Sequence, residues 1–141
     1  MNIGIVCYPT YGGSGVVATE LGKALAIKGN NVHFISYDQP VRLDAFAQNI
    51  YYHEVSINNY PLFKYAPYEI ALTSKIVDIV KAHKIEVLHV HYAIPHAAAA
   101  VTANYKEEQA TSPRQNHPNL TSSGEKRMHS TFLAAAAPPS P

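Results

Sequence analysis

Ile3-Gly4-Ile5-Val6-Cys7-Tyr8-Pro9-Thr10-Tyr11-Gly12-Gly13-Ser14-Gly15 is the stretch that decides the fold of this chain. Its first half is a short apolar run, the pattern of a strand covered on both faces. Its second half is a turn whose glycines permit positive φ and close backbone approach. Directly behind it, Val17, Leu21, Ala24 and Leu25 recur at helical spacing, which predicts one apolar stripe laid against a sheet. Lys28 and Gly29 supply the cation and the glycine of a helix end. Buried strand, glycine turn and amphipathic helix are the opening unit of an α/β fold.

The same alternation continues outward. Val32–Ser36 reads as a second strand and Ile50–Ile57 as a third, joined by a polar connection, Asp38–Asn49, long enough to serve a function. A loop rich in tyrosine and proline, Asn58–Ala66, leads to Pro67, which suits a first helical turn because its missing N–H would be unpaired there anyway. Leu72, Ile76, Ile79 and Val80 form the buried face of that helix, with Lys75, Asp78 and Lys81 on its wet side. Ile85–His91 is a fourth strand, and Pro95 opens a third helix through the alanine run. This order predicts a partial Rossmann-like parallel sheet with helices on both faces. A right-handed crossover places the glycine loop at the carboxyl end of the first strand, the edge where open α/β folds bind ligands.

The pattern ends near Asn104. No valine or isoleucine follows Val101, and five of the ten prolines (Pro113, Pro118, Pro138, Pro139 and Pro141) crowd the last stretch. Such composition does not offset the entropy of ordering, so residues 1–104 are expected to form the domain and 105–141 a disordered tail. Within it, Ala134–Ala137 suits at most one helical turn, limited by the prolines that follow.

Composition narrows the partners. With 141 residues the chain has room for one ordinary domain, and 47% hydrophobic content lets it bury a core. A net charge of +1 and no basic stripe exclude nucleic acid and anionic membrane as expected partners. No leader pattern and no apolar segment near the ~20 residues of a membrane span are visible, so a soluble cytoplasmic protein is expected. The single cysteine, Cys7, fits a reducing compartment and reads as a buried, inert strand residue rather than a reactive thiol.

Two places carry chemistry. Around Gly12, Gly13, Ser14 and Gly15, backbone amides at a helix start can meet an anion, and Ser14 can donate its hydroxyl or cap the helix. No Gly-Lys-Ser/Thr follows and the G-x-G-x-x-G spacing is absent, so a tight turn without ligand stands beside the anion-binding reading. In His89-Val90-His91-Tyr92-Ala93-Ile94-Pro95-His96, His91 and Tyr92 are placed to hydrogen-bond a ligand or the neighbouring loop, whereas His89 reads equally well as a core histidine. The H-x-H pair lacks an evident third ligand, so no metal is assigned. Arg42 is placed either to pair with a substrate carboxylate or to form an internal ion pair with Asp44 or Glu54. Tyr51, Tyr52, Tyr60, Tyr65 and Tyr68 read as wall-packing residues.

The stretch Ile3–Gly22 resembles the start of the family 4 glycosyltransferases, as do Val32–Ser36 with Pro40-Val41-Arg42-Leu43, Tyr60-Pro61-Leu62-Phe63-Lys64-Tyr65, and His89–Ala97. Within that family it is most similar to bacterial enzymes that join N-acetylglucosamine to L-malate, the first step toward bacillithiol. The resemblance runs to about residue 103. It implies two facing Rossmann-like domains, of which this is the acceptor-side half, and retaining transfer of N-acetylglucosamine from UDP-GlcNAc to L-malate without a further cofactor. On the matching positions, Ser14 and Tyr92 resemble malate contacts, Arg42 falls in the acceptor region, and Gly12, Gly13 and Gly15 resemble the loop beside the donor diphosphate.

The sequence also departs from that family. A strand and a His-Gly-Thr-Asp loop are expected after the alanine helix, with the histidine close to the reacting sugar. Here Asn104-Tyr105-Lys106-Glu107-Glu108-Gln109 leads into proline-rich sequence, and the donor-binding domain does not follow. The abrupt switch suggests a truncated or frame-shifted gene and an open sheet edge where later strands belong. The chain is therefore expected to be a hexosyltransferase by descent and inactive alone. The alternatives are a module binding a small malate-like anion, a non-functional remnant, or a fragment acting on another acceptor.

Overall fold

The computed structural model describes residues 1–43, 48–56, 68–111 and 133–135. Its elements follow the order β1 (Asn2–Val6), α1 (Ser14–Ile27), β2 (Asn31–Ser36), β3 (Ile50–Glu54), α2 (Tyr68–His83), β4 (Val87–His91), a π-type turn at Ala93–Ala97, α3 (Ala98–Thr111) and β5 (Leu133–Ala135). All strand pairs are parallel and the sheet order is β3-β2-β1-β4-β5. This is the expected Rossmann-like arrangement.

Alternation along the strands builds a core on each face. Ile3, Ile5, Cys7, Val32 and Phe34 point toward α1, while Val6, Ile35, Leu88 and Val90 pack with Leu72, Ile76 and Ile79 of α2 and Ala99, Ala100 and Ala103 of α3. Cys7 is fully buried, and burial pushes its thiol up to about 12, so it is an inert core group as expected.

The buried stripe of α1 differs from the expected one. Gly15, Ala18, Thr19, Gly22 and Ala26 face the sheet, whereas Val17 is 60% exposed, Ala24 is exposed, and Leu21 and Leu25 are only half-buried. The reason is close approach. A Cβ on Gly22 would lie 2.3 Å from Phe34 Cζ, so the ring of Phe34 occupies the volume that larger helix residues would otherwise fill.

Boundaries also shift. β3 ends at Glu54, with Ile57 outside the described residues, and β4 begins at Val87 rather than Ile85. Pro95 lies in the π-type turn after a cis Ile94–Pro95 peptide, so α3 starts at Ala98, and it continues through Thr111, past the expected limit at Asn104. The Asn58–Ala66 loop, with Tyr60 and Tyr65, lies outside the described residues, as do Asp44 and most of the expected tail. Leu133–Ala135, inside the stretch expected to be a disordered tail and overlapping the Ala134–Ala137 run, instead pairs with His89–His91 along the outer edge of β4. That edge offers unpaired backbone groups, which a passing extended segment satisfies.

Candidate functional site

Between β1 and β4 the chain order reverses, and open α/β sheets leave a crevice beyond the carboxyl ends at such a point. Two loops meet there, Cys7–Gly13 after β1 and Tyr92–Ala97 after β4.

In the first loop Gly13 is the N-cap of α1 at φ 61° and ψ −136°, with no side-chain capping bond and no acidic residue in the first turn. Ser14 therefore does not cap the helix; it is the first helical residue, and it is half-buried. The helix start keeps its free amides and positive dipole end without a compensating side chain. Thr10 Oγ1 donates to the Gly12 carbonyl at 3.0 Å and pins the turn. The three candidate glycines divide by role. Gly12 and Gly13 border open space, but a Cβ on Gly15 would sit 2.5 Å from the Tyr8 carbonyl oxygen and 2.7 Å from Thr10 Oγ1. Gly15 lets the helix approach the loop; the other two leave room beside it.

In the second loop Tyr92 adopts φ 89° and ψ 132°. A bulky residue there is strained by about 1–3 kcal/mol and persists only where its surroundings fix it. Its surroundings do. The Ala97 N–H donates to the Tyr92 carbonyl at 3.1 Å. His96, fully buried, places Nδ1 2.8 Å from the His91 carbonyl, and the Tyr68 hydroxyl lies 3.3 Å from His96 Nε2. A carbonyl only accepts, so Nδ1 carries the proton and Nε2 accepts from Tyr68. Burial lowers the pKa of His96, with the bond to His91 acting against it, and the ring stays neutral.

Tyr8 joins the two loops. The Tyr92 ring meets it edge-on at 5.1 Å, the His96 ring lies 4.2 Å away, and its carbonyl is the atom against Gly15. Tyr37 adds an edge contact at 6.1 Å. Burial first, then neighbouring tyrosines, push the Tyr8 and Tyr68 hydroxyls above their usual range, which keeps them protonated donors. Tyr92 itself remains 41% exposed, and the neighbouring Ile94 and, in the first loop, Tyr11 are exposed too.

His91 is 3% exposed, and its Nε2 has no hydrogen-bond partner among the described residues. Burial, then His89 and His96, hold its pKa near 4. His89 lies 4.6 Å from it, ring to ring, and also carries a buried, unpartnered Nε2. No third metal ligand joins this pair among the described residues. Arg42 stands apart: its Nη1 is 3.8 Å from Glu20 Oε1 on α1, a partner other than Asp44 or Glu54. Glu20 lies six residues beyond Ser14, about 9 Å along the helix axis. The structure thus brings Gly15, next to Ser14 at the helix start, and Tyr92 against Tyr8, and holds Arg42 on the flank of α1.

Sequence reasoning missed Tyr8 and the role of His96. Tyr8 carried a usable signal, an aromatic residue directly after the first strand at the ligand edge. The Tyr68–His96 contact spans 28 residues and leaves no local pattern.

Among solved structures, a glycosyltransferase from Rickettsia africae ESF-5 shares the fold, with a TM-score of 0.54 and 20% identity over 74% of this chain and 27% of its own. The N-acetyl-alpha-D-glucosaminyl L-malate synthase of Bacillus anthracis is 52% identical over 103 residues, 73% of this chain. This chain spans only 27% of the length of that relative. The model of Glycosyltransferase Family 4 matches residues 11–109, which covers the glycine turn, α1, α2, Tyr92 and all but the last two residues of α3. The chain belongs to glycosyltransferase family 4.

Proposed function

We propose that this chain is the acceptor-side, amino-terminal part of a retaining glycosyltransferase that moves N-acetylglucosamine from UDP-GlcNAc to L-malate. The observation that carries this reading is the 52% identity to the malate synthase over 103 residues, 73% of this chain. The physical chemistry is compatible. Malate brings two carboxylates, which suit an uncapped helix start, the Ser14 hydroxyl and the Tyr92 hydroxyl. Gly12 and Gly13 leave space for a donor diphosphate to approach the backbone, and Gly15 shapes the turn that presents them. Arg42 serves the acceptor only if it exchanges Glu20 for a substrate carboxylate, and an exposed pair of this kind holds its partners weakly. The reaction takes place in the cytoplasm and needs no further cofactor in this reading.

The 141 residues alone are proposed to bind the acceptor without turning it over, because a departing diphosphate needs electrostatic stabilisation beyond what one helix start provides. Calorimetry of the chain with L-malate tests the binding. Ser14→Ala and Tyr92→Phe are each expected to weaken it by about tenfold, the value of a hydrogen bond to a charged group. No binding heat from the unmodified chain would refute the acceptor site. Incubation with UDP-GlcNAc and malate, followed by mass spectrometry, is expected to give no product, and turnover would overturn the inactivity.

A further inference from the structure

The opposite edge of the sheet carries a second concentration of chemistry. His33 lies in β2, His53 in β3 and His83 at the end of α2. The register sets His33 beside Tyr51 and Ile35 beside His53, so both histidines project from the face that α2 covers. The Asn2 side chain donates to the His83 carbonyl at 2.9 Å, which fixes the helix end at the start of β1. One ring nitrogen from each histidine lies within 4.8 Å of the other two. His33 Nδ1 and His53 Nε2 are 2.9 Å apart, and the His83 ring centroid is 4.5 and 4.9 Å from those of His33 and His53. Tyr51 stacks on His33 at 4.7 Å.

Packing alone does not call for this arrangement. At buried His33 and half-buried His53, leucine or phenylalanine would fill the same space without the cost of desolvating polar rings. The closest nitrogens, His33 Nδ1 and His53 Nε2, already face each other at hydrogen-bond distance. Around a tetrahedral zinc ion with Zn–N bonds of ~2.0–2.1 Å, ligand nitrogens stand roughly 3.3 Å apart. The spacings here, from 2.9 Å to at most 4.8 Å, bracket that value, so ring rotations suffice and the strands need not move. Neutral imidazoles are also the preferred donors for ions of this class.

We propose that His33, His53 and His83 form a three-imidazole site for a borderline divalent ion, zinc in the first instance, with water as fourth ligand. The ion would clamp β2, β3 and α2 together at the edge away from the crevice, a structural role that does not depend on the transferase reading. Lys75 is close enough for its charge to act on His53, and it opposes any cation there. Its replacement should therefore tighten binding.

The test uses the full chain, stripped with a chelator and titrated with Zn2+ by calorimetry and with Co2+ followed by its visible absorption. One ion per chain is expected, with the spectrum of tetrahedral nitrogen coordination. His53→Ala and His83→Ala should each weaken binding by at least ~100-fold, because losing a direct ligand costs no less than losing an outer-shell partner. Lys75→Gln should strengthen it, and His89→Ala should leave it unchanged. His83 ends a helix, so its replacement keeps the test valid even if the strand variants fail to fold. Zn2+ should raise the melting temperature of the unmodified chain and not that of His83→Ala. No binding by the unmodified chain, or equal affinity in His83→Ala, would overturn the proposal and leave a hydrogen-bonded core cluster.

Discussion

Two regions of one sheet are built on opposite plans. At the carboxyl end the backbone does the unusual work: Gly13 and Tyr92 hold positive φ, α1 starts without a side-chain cap, and two glycines border open space. Where α2 covers β2 and β3 the strands are regular, and the unusual feature is three imidazoles converging from separate elements. A site made of loop backbone is shaped by local turn chemistry, whereas a site made of strand and helix side chains is shaped by register. The first kind tolerates few changes of backbone, the second few changes of side chain.

Acid should expose the largest effect, because both regions hold a buried neutral imidazole, His33 in one and His91 in the other. Burial first, then neighbouring histidines, keep His33 and His91 near 4 in the folded chain, against about 6.5 when unfolded. Between those values the unfolded chain binds more protons, so stability is full above about pH 6.5 and falls as pH drops toward 4. Each group adds at most ~1.4 kcal/mol per pH unit. Denaturant titrations of metal-free protein from pH 7.5 to 4 should show this loss, and His33→Leu and His91→Leu should each flatten it. An unchanged slope in both variants would mean that neither imidazole resists protonation.

A second experiment separates packing from openness within the carboxyl end. Gly15→Val forces a branched side chain against the Tyr8 carbonyl and Thr10, so a loss of about 1–3 kcal/mol in unfolding free energy is expected. Gly12→Ala meets nothing within 4 Å and should stay within about 0.5 kcal/mol of the parent. Equal losses would erase the division of roles among the three glycines. The smallest effect concerns strain. Tyr92→Gly should be more stable than Tyr92→Ala by about 1 kcal/mol, since both lose the ring contact but only glycine relaxes at φ 89°. The reverse order would show that the backbone at Tyr92 is not strained.

Much of this architecture was legible in the residues themselves. The strand–turn–helix unit and the four principal strands follow from short apolar runs and helical patterns with glycine and proline as punctuation. The buried face of α2 was legible at Leu72, Ile76 and Ile79, because large apolar residues there fill the gap to the sheet. The face of α1 was not, because Gly15, Ala18 and Gly22 bury by being small, and the complementary bulk comes from Phe34 on another element. At the site, Ser14 and Tyr92 announced themselves by position beside strand ends. Tyr8 as the hub, the proton position on His96 and the Glu20 partner of Arg42 depend on contacts between distant residues.

By itself, then, the sequence determined the class of fold, the sheet edge where the two loops follow their strands and the kinship to glycosyltransferase family 4. These rest on short-range patterns, which the chain writes within a few residues of each other. Tertiary structure alone decided that Tyr92 is held at positive φ against Tyr8, that Gly15 packs while Gly12 and Gly13 stay open, and that His33, His53 and His83 meet. His33 and His53 are twenty positions apart and His83 thirty further on. Only the pairing of β2 with β3 and the return of α2 over them bring their nitrogens within 4.8 Å. No local spacing encodes that distance, because it is set by strand register and helix packing together.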